Sequence, residues 1–196
     1  MEITTEELEM PEQAYSYTDM DSFLQSVQSK AYRMAKLSTL NTEDALDMVQ
    51  DAMFKLIKNY SDKPVAELRP LFYTILSSTL KDWHRRRVFR NQFHYFFSDK
   101  EYDTNPIESL ADDFAQSSEQ WLSNQQDVSK LLLALSELSE RQRQTFLLRA
   151  WQGFSVKETA KIMSCSEGSV KTHYFRANKL LNEMLNKHTG DSHDES

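Results

Sequence analysis

Side chains able to carry covalent chemistry are present in this sequence, but no spacing assembles them. His84, His94, His173, His188 and His193 are scattered, and the single cysteine, Cys165, has no ligand partner near it in sequence. One cysteine forms no intramolecular disulfide, and a metal would need ligands that this spacing does not supply. The sequence therefore indicates no catalytic group, no metal, no cofactor and no small-molecule substrate. Recognition chemistry is better served. Gly168, Ser169, Lys171, Thr172, Phe175, Arg176 and Lys179 recur at helical intervals near the C-terminus. Lysine and arginine attract phosphate, Lys171 or Arg176 can donate to guanine edges, and Ser169 and Thr172 can bond phosphate or base. Gly168 has no side chain, so a helix start there can approach a backbone closely.

The elements that must position these groups read as helices. Leu131, Leu132, Leu135 and Leu138 repeat at helical spacing. Ser139 and Gln142 form a capping box for a helix carrying Phe146, Leu147 and Ala150, which Gly153 can stop. Ser155 and Glu158 form a second box. The short helix it opens turns Val156, Thr159, Ala160 and Met163 inward. Ser164-Cys165-Ser166 is a tight turn, and Ser166 can cap a last helix with Val170, Tyr174, Ala177 and Leu181 on its inner face. A short helix, a three-residue turn and a second helix over 155–176 is helix-turn-helix spacing, which points to duplex DNA. An ordinary pair of helices with a solvated basic face has the same spacing.

Composition agrees with an all-α chain. Of 196 residues, 39% are apolar and only Gly153, Gly168 and Gly190 are glycine. That argues against β-hairpin turns and phosphate-cradling loops. Pro11, Pro64, Pro70 and Pro106 fall where segments change character. The first residues are acidic, with no export segment, and no run approaches the roughly 18 apolar residues of a membrane span. The expectation is a soluble cytoplasmic protein.

A net charge of -7 suits a DNA binder poorly until it is resolved along the chain. Residues 1–23 carry seven acids and no Lys or Arg, and residues 99–127 carry eight acids and one base. Between and after them, 61–98 hold seven bases to three acids, and 128–187 hold ten to five. Local charge, not global charge, governs phosphate binding. The organisation reads as an acidic tail (1–20), a helical module (21–97), a flexible acidic linker (98–127), a second helical module (128–187) and a short tail (188–196).

In the first module, the stretch from Thr42 to Phe54 reads as one capped helix. Leu46, Val49, Met53, Leu56 and Ile57 are expected on its buried face. Asp44, Asp47 and Asp51 lie opposite, with Met48 among them. An apolar side chain in an acidic stripe suggests docking to a basic partner, although a solvated face with one stray Met fits the same pattern.

The lettering is more specific than the spacing. Leu138 to Arg149, followed by Gly153 to Ala160, resembles the start of bacterial sigma-factor region four. Ser166 to Lys171 with Phe175-Arg176-Ala177 resembles its recognition helix. Ser169 to His173 also resembles the LuxR-type regulator module, but no strand-rich receiver pattern precedes it. Instead Ala45 to Asp51, Pro70 to Leu76 and Lys81 to Arg87 resemble sigma region two. Together the two modules resemble the short extracytoplasmic-function (ECF) sigma factors over most of residues 22–187.

The resemblance implies core RNA polymerase, through its largest subunits, and promoter DNA as partners. For many members it also implies an anti-sigma factor covering the same surfaces. It implies a non-enzymatic role, in which binding energy opens DNA. It places polymerase docking on Asp44, Asp47, Met48, Gln50 and Asp51. It places the melting -10 element on Tyr60, Ser61, Asp62, Lys63, Ser78, Lys81, Arg85, Arg86 and Arg87, with Arg90 extending the track. It places the -35 element on Gly168, Ser169, Lys171, Thr172, Phe175 and Arg176. Phe72, Tyr73 and Trp83 are aromatics within reach of the strand, expected in the core unless exposed. Two positions depart from the family pattern. Ser78 stands where Asn is frequent, and Leu71 stands where Trp is common. The alternatives are a stand-alone LuxR-type regulator and an anti-sigma-like or adaptor protein using the acidic helix for protein contacts alone.

Overall fold

The computed structural model describes residues 17–94 and 125–190, with side chains described over 17–87 and 130–185. The linker assigned to 98–127 lies outside the described residues as far as 124. The tails lie outside them through 16 and from 191. Among the described residues every regular element is helical, as the scarcity of glycine implies.

Helix α1 (Met20–Thr39) starts at Asp19, whose carboxylate accepts from the Ser22 N–H at 2.8 Å. It stops where Leu40 enters the left-handed region at φ 54°. Helix α2 (Thr42–Tyr60) is capped by Asn41, whose side-chain oxygen accepts from the Asp44 N–H at 2.9 Å. Helix α3 (Val65–His94) runs through Pro70, where the sequence suggested a change of segment. Proline there deprives the Ala66 carbonyl of its helical donor, a loss confined to the first turns.

These three helices form the first bundle. Phe23, Ala31 and Met34 of α1, Ala45, Val49, Ala52 and Leu56 of α2, and Leu68, Phe72, Leu76 and Leu80 of α3 are buried together. Phe72 and Tyr73 belong to this interior, and Trp83 is buried beside His84 and Arg87. One expectation is corrected. Leu46 and Ile57 are 46% and 45% exposed, and Met53 is half-buried. The buried stripe of α2 is centred instead on Ala45 and Ala52, because small residues let α1 and α3 approach closely. Leu46 and Ile57 sit at the rim of that contact.

The second bundle contains α4 (Gln125–Glu137), α5 (Glu140–Phe146), a π-helical turn (Leu147–Trp151), α6 (Val156–Ile162) and α7 (Glu167–Gly190). The Ser139 N–H donates to Gln142 Oε1 at 3.0 Å, as the first capping box requires. Gly153 ends this run at φ 71°, a left-handed conformation that costs a side-chain-bearing residue energy. Both halves of the Ser155–Glu158 box are formed, at 2.8 and 3.2 Å. The interior holds Leu132, Leu135, Leu147, Met163, Ala177 and Leu181.

The modules also touch. The tether left this open, and the structure joins their interiors into one continuous core. Helix α3 packs on α6, and α1 meets α4 and α5. A ladder of edge-on aromatic rings crosses the boundary. Tyr17 meets Phe23 at 5.0 Å, Phe23 meets Phe72 at 6.0 Å, Phe72 meets Tyr73 at 5.4 Å, and Tyr73 meets Phe154 at 5.2 Å.

Burial makes these positions unequal. Phe72→Ala should lower the unfolding free energy by about 3–5 kcal/mol, whereas Phe54→Ser should stay within about 0.5 kcal/mol, as read by urea melts. Ser155→Ala removes the α6 cap and should cost about 1 kcal/mol in the same assay.

Candidate promoter and polymerase interface

Helices α6 and α7 form the helix-turn-helix that the spacing indicated. The turn is closed by the Cys165 N–H on the Ala160 carbonyl at 3.0 Å, with Ser164 left-handed at φ 49°. Ser166 caps α7: its Oγ accepts from the Ser169 N–H at 3.1 Å and lies 2.8 Å from Ser169 Oγ. Val170, Ala177 and Leu181 are buried and fix the rotation of α7. Gly168, Lys171, Thr172, Phe175 and Arg176 are thereby exposed, and Ser169 is half-buried.

Phe175 is 69% exposed, more than any other large apolar side chain named as exposed among the described residues. A Phe that contributes nothing to the core is free to contact a partner. The Thr172 hydroxyl donates to the Gly168 carbonyl at 2.9 Å and keeps acceptor capacity facing outward. His173 is half-buried, and burial, then the charges of Arg141 and Arg176, hold its pKa below the ordinary histidine value. Tyr174 turns inward and stacks on Phe146 at 6.3 Å. A β-carbon on Gly168 would meet only Ser166 Oγ, at an ordinary 3.8 Å. The fold itself does not require glycine there.

On α2, Asp47 and Gln50 are exposed, and Asp44, Met48 and Asp51 are half-buried. Asp51 is ion-paired with Lys55 at 2.6 Å, and Lys55 reaches Thr79 of α3 at 3.3 Å. Beside this acidic edge lies an apolar flank that sequence reasoning missed: Leu46, Phe54 (63% exposed) and Ile57. At 100° per residue these three fall within a quarter-turn arc that also holds Gln50. The signal was available, since α2 carries more large apolar residues than one buried face accepts, and Ala45 and Ala52 mark the side in contact.

The loop between α2 and α3 carries exposed Ser61, Asp62 and Lys63 beside half-buried Tyr60. Lys63 lies 3.8 Å from Glu67. On α3, Ser78, Lys81 and Arg85 form one exposed stripe, and Arg86 is exposed beside it. Arg85 also pairs with Asp82 at 3.1 Å. Arg87 departs from this track. Its guanidinium donates to the Thr39 carbonyl at 3.1 Å and lies 5.1 Å from the Trp83 ring, so it ties α3 to the end of α1. The side chain of Arg90 lies outside the described residues.

Comparison with known proteins bears on this arrangement. The Sigma-70 region 2 model matches residues 20–90, and the Sigma-70 region 4 model matches residues 129–181. The chain is 28% identical over 163 residues to the RNA polymerase sigma-E factor of Streptomyces antibioticus, covering 78% of this chain and 88% of that one. It is 26% identical over 157 residues to the ECF RNA polymerase sigma factor SigM of Mycobacterium tuberculosis, covering 79% and 70%. Among solved structures, the sigma factor RpoE of Bartonella quintana, crystallised with the anti-sigma factor NepR, superposes with a TM-score of 0.64 at 25% identity, covering 85% of this chain and 98% of that one. A LuxR-type regulator gives no reason for a region 2 match. The chain belongs to the ECF branch of the sigma-70 family and is a sigma factor, a protein that binds core RNA polymerase and directs initiation at promoters through their -35 and -10 elements.

Proposed function

We propose a division of labour among three surfaces. The outward face of α7 reads the -35 element in the major groove through Gly168, Ser169, Lys171, Thr172, Phe175 and Arg176. The acidic edge of α2, at Asp44, Asp47, Met48, Gln50 and Asp51, docks core polymerase, with Leu46, Phe54 and Ile57 adding apolar contact. The loop 60–63 and the α3 stripe Ser78–Lys81–Arg85, with Arg86, hold the -10 strand as it unpairs. Arg87 contributes by fixing α3 rather than by touching DNA. The role is non-enzymatic: free energy of binding shifts the duplex toward the open form. The site of action is the cytoplasm. An anti-sigma factor, of the kind bound by the Bartonella relative, would act by covering these faces.

The observation that carries the -35 assignment is the rotation of α7. Its buried residues leave Gly168, Lys171, Thr172, Phe175 and Arg176 exposed and Ser169 half-buried beside them, and that set includes a Phe that the core does not use. An apolar side chain in a major groove has one distinctive target, the thymine methyl group. The docking assignment rests on an acidic edge and an apolar flank side by side, suited to a partner that is basic and apolar in register.

The test is in vitro transcription with core polymerase alone and each variant. Asp47→Arg with Asp51→Arg should abolish polymerase binding while DNA binding by the helix-turn-helix persists; unchanged polymerase affinity overturns the docking surface. Lys171→Ala with Arg176→Ala should lower the salt slope of -35 binding by about 1.8. Replacing thymines of the -35 element by uracil should cost the wild type about 0.8 kcal/mol per contacted methyl, and Phe175→Ala should lose that sensitivity. Gly168→Ala should leave the fold as stable or stabilise it by up to about 1 kcal/mol while weakening -35 binding. Stabilised protein with full affinity would remove Gly168 from the interface.

A further inference from the structure

A histidine of the reading helix has no part in the three surfaces. At about 100° per residue, His173 of α7 lies about 60° from Arg176 and about 40° from Ser169, on the edge of the outward face. There it is half-buried. Arg141 reaches the same edge from α5, and its Nη1 donates at 3.4 Å to the Met163 carbonyl, where α6 ends. Arg141, His173 and Arg176 thus gather from two helices. Among the described residues, the charges that act on the His173 ring are those of Arg141 and Arg176, and α4 and α6 add none. Neither arginine is ion-paired among the described residues.

Like charges gathered without a counter-charge repel. Burial, with that repulsion added, keeps the free His173 ring neutral near neutral pH. A polyanion reverses the balance. A helix seated in a major groove has a row of phosphates along each of its edges, and His173 lies on such an edge of α7. A phosphate there is drawn by both arginines and offsets their repulsion of the ring. It favours the imidazolium, which then donates to it. The arginines keep their charge at every physiological pH, whereas the histidine does not. Phosphate binding and protonation of His173 therefore favour each other.

We propose that His173 takes a proton from solvent as α7 seats on duplex DNA and, with Arg141 and Arg176, holds one backbone phosphate beside the -35 element, so that -35 affinity rises as pH falls. The inference rests on the assignment of α7 to that element. The ring titrates at a higher pH in the complex than in the free protein. Above the complex value both states are neutral, and affinity is flat. Between the two values the complex carries a proton that the free protein lacks, and affinity climbs as pH falls. Below the free value both states are charged, and affinity levels off. The contact is to backbone, so it strengthens every -35 sequence alike and adds nothing to the base code. A drop in pH then fills -35 elements at a fixed amount of sigma factor.

The experiment uses the full chain assembled with core polymerase, and a promoter duplex selected by that complex from a randomised pool. Affinity for the unmelted duplex is read by fluorescence anisotropy at about pH 8 and about pH 6, at matched ionic strength. The wild type should bind several-fold tighter at the lower pH, up to about tenfold. His173→Gln, a donor without charge, and His173→Lys, charged throughout, should both give flat profiles whatever their absolute affinity. If one of them fails to fold by circular dichroism, the other decides. Arg141→Gln should lower the salt slope by about 0.9, and an unchanged slope overturns the three-residue site. Single uncharged methylphosphonates, scanned along the duplex, should find one position that flattens the wild-type profile; finding none overturns the phosphate contact. Millimolar inorganic phosphate should not compete, and competition assigns the three groups to a free anion instead of DNA. A flat wild-type profile, or a His173→Gln profile as steep as the wild type, overturns the proposal and leaves the assignment of α7 standing. If Lys171→Ala with Arg176→Ala binds the duplex as the wild type does, that assignment fails and the proposal falls with it.

Discussion

Burial of one stripe of α3 determines what the rest of this molecule can do. Leu68, Phe72, Leu76 and Leu80 lie in the core of the first bundle, and their rotation about the helix axis leaves no freedom for the remainder. Ser78, Lys81 and Arg85 must then face solvent, and Arg69 and Tyr73 must face the second module. A single helix therefore has three allegiances: to its own core, to nucleic acid and to its partner bundle. The cost of moving large aromatic groups into water keeps these allegiances apart. The same logic holds in α7, where Val170, Ala177 and Leu181 decide what reaches the groove.

Charge acts within this frame rather than setting it. The acidic edge of α2 is partly neutralised by Lys55, and the basic α3 stripe is partly neutralised by Asp82. Exposed pairs of this kind are worth little to stability. Their partners exchange readily for phosphate or for a basic protein surface, so a surface ion pair here is better understood as an occupied docking position than as a brace.

Much of the helical grammar was legible in the sequence. The Ser139 and Ser155 caps, the Gly153 stop and the Ser164–Ser166 turn depend on neighbours a few residues apart, and local chemistry specifies them. The outward set on α7 was legible for the same reason. The face of α2 was not. Periodicity weighs large apolar residues, and it placed Leu46 and Ile57 inside, whereas the contact with α1 and α3 is decided by Ala45 and Ala52, whose small size matters only once another helix is present. Arg87 illustrates a second limit. In sequence it is one of three adjacent arginines, and only tertiary structure shows that it binds the Thr39 carbonyl. The meeting of Tyr73 with Phe154 was illegible altogether, because the two residues belong to separate modules and neither interrupts the pattern of its own.

The wide turn at Leu147–Trp151 links these themes. It carries the Gln152 N–H back to the Leu147 carbonyl at 2.9 Å, one residue farther than an α-helix would. That single residue of slack sets the azimuth of everything after it. A regular helix would turn the following segment by about 100° about the axis, carrying Trp151 away from Arg33 of α1 and Phe154 off the surface of α3. The grip between the halves is thus written in a local over-count of the backbone. The chain has a vernier there, one residue fine, that separates a self-engaged molecule from two independent bundles.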